Sequence, residues 1–184
     1  MEDVTTRERL LIAGLNEIRE YGVGGFSLRR VAKACGVSCA APYKHFADKE
    51  DMFRAMVDYV NGKWEEEVGL RFRCEGSPAE SAADFALAYV KFLRRNPHYR
   101  SVLMIKRMGL DLPESAGEIG LSMPAKRLLA KYRREMGLSR KQLREKLFIA
   151  RSLVYGAVFT LDMDEDLAEE RTEMLRKSLE VIFS

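Results

Sequence analysis

The residues best suited to bind another molecule lie in the range Ser27–Phe53, where basic and hydrogen-bonding side chains are concentrated. Tyr43, Lys44 and His45 are consecutive, and no Asp or Glu occurs in the range Tyr21–Ala47. Cationic groups beside hydroxyl and imidazole groups can neutralise and hydrogen-bond phosphates. The formal net charge of the chain is only +3, so this charge is either a local binding patch or an ordinary solvated face. The cations of the patch are Arg29, Arg30, Lys33 and Lys44.

Two short helices joined by a tight turn must position this patch. Ser27 is a good N-cap, because its oxygen can accept from the free N–H groups of a first helical turn. Gly36 stands where that helix must stop, since glycine tolerates the left-handed conformation. Ser38 then caps a second helix, with Pro42 still in the first turn, where a missing N–H costs little. The pattern predicts a helix-turn-helix, whose second helix lies in the major groove of DNA.

The start of the expected recognition helix offers little hydrogen bonding to bases. Ala40 and Ala41 can give methyl contacts to thymine but no hydrogen bonds. Arg29, Ser38, Lys44 and the shape of the DNA are therefore expected to carry much of the specificity. Cys39 lies in the first turn, where the helix dipole favours a thiolate, so it is either an oxidant sensor or a small contact residue.

The range Thr5–Val57 resembles the N-terminal domain of TetR-type transcriptional regulators. The resemblance rests on Phe26-Ser27, Val31-Ala32, Gly36-Val37-Ser38, Tyr43-Lys44-His45-Phe46 and Lys49-Glu50-Asp51-Met52-Phe53. It implies a three-helix domain with a long fourth helix leading to an effector domain. Tyr43, Lys44 and His45 would touch DNA, and Lys49 would meet a phosphate. Many relatives carry a polar residue, a glycine and a Ser or Thr after Gly-Val-Ser, where this chain has Cys39-Ala40-Ala41-Pro42. The predicted DNA-binding residues are Ser27, Arg29, Ser38, Cys39, Ala40, Ala41, Tyr43, Lys44, His45 and Lys49.

Composition and motif searches argue against several other classes of protein. The chain has 184 residues, 47% of them hydrophobic and 32% charged, which fits an ordinary globular protein of one or two domains. We expect neither a signal peptide nor a membrane span, and the three cysteines indicate reduced thiols in a cytoplasm. With only His45 and His98, the chain offers neither a histidine metal site nor a catalytic triad, so we expect no cofactor and no enzyme activity. Asp162, Asp164 and Asp166 imitate a calcium loop, but Leu167 replaces the glycine that such a loop needs.

The chain is expected to be helical throughout, with about nine helices and no sheet. Capping pairs predict helix starts at Thr5 with Glu8, at Ser77 with Glu80 and at Ser139 with Gln142. The stretch 109–124 is rich in Gly, Pro and Ser and is predicted to be a loop. The predicted domains are a DNA-binding domain over 1–50 and a helical ligand-binding and dimerisation domain over 51–184. The expected helices cover roughly 48–72, 77–95, 96–109, 124–136, 139–161 and 164–183.

The last two helices have apolar faces broader than one partner helix needs. We interpret them as a homodimer interface, packed as a four-helix bundle across a two-fold axis. The alternative is that these faces pack only within one subunit. The stripes that carry the interpretation are Leu143, Leu147, Val154 and Val158, and then Leu167, Met174, Leu175, Val181 and Ile182.

Aromatic and methionine residues in the middle of the chain suggest a pocket for an unidentified small effector. The alternative is an ordinary core, and the resemblance to TetR-type regulators favours a pocket. Arg151 needs an anion if it is buried, and that anion would be Asp84, Asp162 or a ligand carboxylate. The predicted ligand-binding residues are Phe85, Tyr89, Phe92, Tyr99, Met104, Met108, Phe148, Arg151 and Tyr155.

Two functions are compatible with these features. The first is a repressor that binds a pseudo-palindromic operator as a dimer and is released by a small molecule. The second is a DNA-binding assembly or structural factor with the same DNA-binding domain and no small-molecule ligand.

Overall fold

The computed structural model describes residues 4–71, 76–106, 123–160 and 168–184, and within these ranges the chain is entirely helical. The prediction of an all-α fold is therefore confirmed. Eight α-helices lie in the described residues, close to the nine expected. They are α1 (Thr6–Tyr21), α2 (Leu28–Ala34), α3 (Lys49–Arg71), α4 (Pro78–Arg95), α5 (Ser101–Lys106), α6 (Met123–Glu135), α7 (Arg140–Thr160) and α8 (Ala168–Phe183). Two short 3₁₀ helices, Pro42–Lys44 and Pro97–Arg100, connect them.

Three of the helices begin where the capping pairs predicted. The Thr5 hydroxyl accepts from the Glu8 N–H at 3.1 Å. At the start of α4, the Ser77 N–H donates to Glu80 Oε2 at 2.8 Å, and the Glu80 N–H donates to Ser77 Oγ at 3.2 Å. Hydrogen bonding from Ser77 to the carboxylate, first of all from its backbone N–H, holds the pKa of Glu80 below its ordinary value. The start of α7 repeats this reciprocal arrangement with Ser139 and Gln142, at 2.9 and 3.2 Å.

The first compact unit contains, among the described residues, 4–63 and 96–106. Its core consists of the apolar faces of α1, α2, α5 and the first part of α3. The residues at its centre are less than 3% exposed, and they are Leu10, Leu11, Leu15, Ile18, Val31, Ala32, Phe46, Met52, Phe53, Met56 and Val57.

Two polar bonds tie distant parts of this unit together. The Tyr59 hydroxyl donates to Glu8 Oε1 at 2.9 Å. The Glu8 carboxylate therefore binds a residue of α3 instead of capping the start of its own helix. The buried Ser101 hydroxyl donates to the Leu15 carbonyl at 2.7 Å. Tyr59 also packs edge-on against Tyr99, with ring centroids 6.0 Å apart. The segment 96–106 is thereby fastened to the N-terminal helices, although it follows them by many residues.

The second compact unit contains, among the described residues, 64–71, 76–95, 123–160 and 168–184. In it α4 packs against α6, α7 and α8, and α7 packs against α8. The fully buried Tyr132 of α6 donates to the Phe183 carbonyl at 2.8 Å and meets its ring edge-on at 5.4 Å. These contacts fix the end of α8 against α6.

Several predictions fall partly or wholly outside the described residues. The loop at 109–124 and the calcium-like acids at 162–166 lie there almost entirely, as does Met108. Among the described residues, no helix is long and apolar enough to cross a bilayer. The same residues hold no group of three or more His, Cys, Asp or Glu arranged to bind a metal ion. The predicted domain boundary at residue 50 falls within α3, which contributes to both compact units.

Candidate nucleic-acid interface

The first helix of the predicted helix-turn-helix is capped at both ends by local bonds. At its start, Ser27 Oγ accepts from the Arg30 N–H at 3.4 Å. At its end, the Val37 N–H donates to the Ala32 carbonyl at 3.0 Å across Gly36, which has a φ of +68°. A second bond joins the Gly36 N–H to Lys33 at 3.1 Å, which completes a Schellman motif. The sequence prediction of α2 and its glycine stop is confirmed.

The second helix of the motif is not an α-helix, and this corrects the prediction that Ser38 caps one. Ser38 makes no side-chain cap, and its carbonyl accepts from the Ala41 N–H at 2.9 Å, which closes a four-residue turn. The 3₁₀ helix begins at Pro42 and ends at Lys44.

Proline explains the difference. In an α-helix capped by Ser38, Pro42 would be the first residue whose N–H must bond within the helix, to the Ser38 carbonyl. Proline has no N–H, so that bond cannot form. The helix therefore starts later, with Pro42 at its first position, where proline is tolerated. Placing Pro42 within the harmless first turn of a helix capped at Ser38 was wrong.

The turn nevertheless presents outward most of the side chains that the sequence assigned to DNA. Tyr43 is 60% exposed, and the neighbouring Lys44 and His45 are also exposed. Beneath them Pro42 and Phe46 are buried and anchor the turn to the core. The other exposed members of the predicted set are Arg29, Ser38, Cys39 and Ala40, whereas Ser27 and Ala41 are half-buried.

Arg30 differs from the other cations of the patch because the domain itself uses it. Its Nε donates to Glu17 Oε1 at 2.7 Å, a second nitrogen contacts the same oxygen, and it also reaches the Gly25 carbonyl. The Ser27 N–H donates to that Glu17 oxygen at 3.2 Å. Glu17 is buried on α1, so a single carboxylate joins α1 to the start of α2. Nothing in the local sequence pattern signals this pairing, which spans 13 residues.

Lys49 is also engaged by the fold. Its Nζ donates to the Val23 carbonyl at 3.3 Å and lies 5.4 and 5.3 Å from the ring centres of Phe26 and Phe53. The side chain is half-buried at the start of α3. Its role as a phosphate contact stays a prediction, and reaching DNA would require the ammonium to leave these partners or to share them.

The described residues of the predicted ligand-binding set are divided between the two compact units. Tyr99 and Met104 belong to the first compact unit, and the other described members belong to the second. Phe85, Tyr89 and Phe92 surround Trp64, which the sequence analysis did not single out.

Phe148 is on the surface of the subunit. It is 72% exposed, whereas Val154 and Val158 on the same helix are buried within the subunit. The Val154 and Val158 part of the predicted stripe therefore packs within the subunit, whereas Leu143 and Leu147 are half-buried. A different face of α7 is left uncovered. Large exposed apolar residues on α7 and α8 are Phe148, Ile149, Phe159, Met174 and Val181.

Comparison with known proteins agrees with the geometry of the first unit. Residues 10–56, which contain α1, α2, the exposed turn and the start of α3, match the family described as bacterial regulatory proteins, tetR family. This match, over about a quarter of the chain, places its N-terminal region in the TetR family. The nucleoid occlusion factor SlmA of Haemophilus ducreyi is 31% identical over 94 residues, which cover 51% of this chain and 46% of that protein. The alignment therefore spans about half the length of this curated relative.

Solved structures are similar in fold to this chain over nearly its whole length. A TetR family transcription regulator from Marinobacter aquaeolei VT8 matches with a TM-score of 0.75 and 17% identity, over 96% of this chain and 94% of that one. FadR from Bacillus subtilis, in complex with stearoyl-CoA, matches with a TM-score of 0.72 and 18% identity, over 96% and 97%. At such identities the likeness concerns the fold.

Proposed function

We propose that this TetR-family protein is a cytoplasmic transcriptional repressor that binds a pseudo-palindromic operator as a homodimer and is released by a small molecule. The observation that carries the proposal is the exposed turn at 38–45, which presents Tyr43, Lys44 and His45 beside the free cations of α2. Arg29 and Lys33 are exposed there, and no ion pair engages them within the described residues. Such groups suit phosphate contacts and contacts with base edges.

The uncovered face of α7 and α8 supports the homodimer. Phe148, Phe159, Met174 and Val181 leave apolar surface in water on two helices that pack against each other. Exposed apolar patches of this kind mark interaction surfaces. A second copy placed by a two-fold axis would cover both helices and bring two DNA-binding heads to two half-sites.

Effector release is supported by the likeness to FadR, which was crystallised with stearoyl-CoA. A ligand releases DNA only if it binds better to a state with low DNA affinity than to the DNA-bound state. The second compact unit supplies an aromatic cluster of Trp64, Phe85, Tyr89 and Phe92 for such a ligand.

The DNA-binding step can be tested without knowing the operator. Duplexes selected from a random pool by the purified protein should contain an inverted repeat. Fluorescence anisotropy across a salt series should then give a smaller slope of log K against log salt for Lys44→Ala. The magnitude of this slope should fall by about one for each subunit bound if Lys44 contacts a phosphate.

Lys141→Ala is the matched control. Lys141 has a side chain 81% exposed but lies on α7, in the other compact unit, so its slope should stay at the wild-type value. Equal slopes for wild type and Lys44→Ala would remove Lys44 from the phosphate contacts. A selected pool without repeated half-sites would overturn the operator proposal.

A second candidate function is a DNA-binding assembly factor that uses the same head. It is favoured by the similarity to SlmA, whose name describes a nucleoid occlusion factor. A cationic surface on α6 and α7 would suit an acidic macromolecular partner: residues 125–146 contain nine Lys or Arg and two Glu. Selected sites scattered over the chromosome away from promoters, mapped by immunoprecipitation, would favour this candidate. Sites concentrated at promoters would favour the repressor.

A further inference from the structure

Trp64 carries a buried hydrogen-bond donor that the fold leaves unused. The side chain is 2% exposed, and its Nε1 has no hydrogen-bond partner. The rings of Phe85, Tyr89 and Phe92 surround it, with centroids 5.4, 5.0 and 5.3 Å from that of Trp64. Tryptophan N–H groups usually find a partner when they are buried, because an unmade bond is costly. The exception indicates that the donor serves something other than the fold.

Two tyrosine hydroxyls lie in the same part of the second unit. Tyr89, in contact with Trp64, is 6% exposed, and burial and nearby Tyr155 raise its pKa. Burial raises the pKa of Tyr155 to about 12, against the opposing effect of the Arg151 cation. Both phenols are therefore neutral near pH 7 and able to donate. The helices that carry them, α4 and α7, pack directly together.

Arg151 adds a positive charge without a protein counter-ion among the described residues. It is half-buried, one helical turn before Tyr155 on α7. Asp84, a partner expected from the sequence, pairs with Arg176 instead, at 3.2 Å from Oδ1 to Nη2. The prediction that Asp84 could be the counter-ion of Arg151 was therefore wrong. Asp162 lies outside the described residues, so of the predicted partners Asp162 and a ligand carboxylate are still open.

We propose that Trp64, Tyr89, Arg151 and Tyr155 form a donor site for the carboxylate, or a similar anionic head, of an otherwise apolar small molecule. The indole and guanidinium groups can only donate, so the matching ligand group must accept. The aromatic rings supply apolar surface for the rest of the ligand. Rings alone would also suit an organic cation, but the charge of Arg151 repels one. This inference deepens the proposed effector response and rests on it.

Two fluorescent probes that differ in charge test the site. One is 1-anilinonaphthalene-8-sulfonate, which is an apolar anion, and the other is N-phenyl-1-naphthylamine, which has the same rings and no charge. Trp64 is the single tryptophan of the chain, so its emission reports on binding at this cluster. The anion should bind wild type and quench Trp64. Arg151→Met should weaken anion binding about tenfold or more while changing the affinity of the neutral probe less than about twofold.

Arg144→Met is the matched control. Arg144 is an exposed cation on the same helix, so its loss should change neither affinity. Trp64→Phe keeps an aromatic ring but removes the N–H, and it should weaken anion binding as measured by the emission of the probe itself. Arg151→Lys keeps the charge and should retain part of the affinity. Loss of anion affinity in Arg144→Met but not in Arg151→Met would assign the anion to the surface of α7 and overturn the inference.

Stability measurements keep the test decisive. An Arg151 without an ion pair should leave Arg151→Met at least as stable as wild type, whereas a structural salt bridge would make the variant less stable. A destabilised variant with unchanged anion affinity would overturn the inference.

Measurements of DNA binding distinguish failure of the anion site from failure of the proposed effector release. Anion binding that depends on Arg151 but leaves the affinity for selected DNA unchanged would uphold the site and refute effector release. Normal release of DNA by a neutral ligand would uphold effector release and refute the anion site.

Discussion

The most demanding prediction concerns the apolar face of α8. Val181 is 75% exposed and Met174, two turns earlier, is 61% exposed. If this face is the dimer interface, Val181→Asp should convert the dimer to a monomer. The substitution should leave the subunit itself folded, because an exposed valine contributes little to the core of its own subunit.

The expected size of the effect follows from symmetry. Fully burying a valine side chain is worth about 1.5–3 kcal/mol, so covering three-quarters of one contributes roughly 1–2 kcal/mol. A two-fold axis places Val181 in the interface twice, and the substitution removes about 2–4 kcal/mol in all. Each new carboxylate then loses water without a partner, which adds at least about 1 kcal/mol per copy. Together these terms come to about 4–6 kcal/mol, so the dimer dissociation constant should rise by about three to four orders of magnitude.

Sedimentation equilibrium over a concentration series measures this constant directly. Val4→Asp makes the same change at a half-exposed valine in the first compact unit, and it should keep the wild-type constant. Circular dichroism should give the same helix content for both variants. If Val181→Asp keeps the dimer with an unchanged constant, the exposed face of α8 is not the interface and the symmetry argument fails.

Three further predictions concern individual bonds. Tyr132→Phe removes the buried bond to the Phe183 carbonyl, so the free energy of unfolding in urea should fall by about 1–3 kcal/mol, and no fall would show that water replaces the bond. Glu80 has a lowered pKa, so its contribution to stability is present above its ordinary pKa of 4.5 and lost as the pH falls through the lowered value. The urea midpoint of wild type should therefore exceed that of Glu80→Gln at pH 7, and the difference should shrink as the pH falls through the lowered pKa of Glu80. A difference that stays constant with pH would contradict the linkage. Pro42→Ala supplies the missing N–H, so the Cα chemical shifts of residues 39–41 should move towards α-helical values, and unchanged shifts would contradict the account of the 3₁₀ turn.

Local chemistry made the helix starts readable from the sequence. Thr5, Ser27, Ser77 and Ser139 cap helices as expected, because each bond joins residues only three apart. The same local logic identified Gly36 as the end of α2. Such signals depend on neighbours along the chain and need no knowledge of the tertiary structure.

The prediction of an α-helix capped by Ser38 was wrong, and the reason also lies in the local sequence. Counting from Ser38, Pro42 occupies the first position that must donate within an α-helix, and this was available in the sequence. Tyr43, Lys44 and His45 of the turn are exposed, as contact with DNA would require, and their contact with DNA stays a prediction.

Long-range pairings could not be predicted from the sequence. Whether Arg30 meets DNA or Glu17 depends on how α1 crosses α2, and whether Arg151 meets Asp84 depends on where Arg176 lies. Periodicity likewise shows that α7 is apolar on more than one side without showing which side faces its own subunit. Phe148 was therefore assigned to an interior pocket that the exposed position of its side chain does not suit.

The Glu17 carboxylate also decides how much of this chain can be transplanted. A chimaera that grafts only 27–46 onto another regulator would carry Arg30 and the Ser27 N–H without the acceptor that holds them. The freed guanidinium would add one more cation beside the side chains predicted to contact DNA, and we expect the graft to gain affinity for any duplex at the expense of selectivity. The smallest fragment of this protein that can be grafted therefore begins before α1, so that it includes Glu17 together with α2.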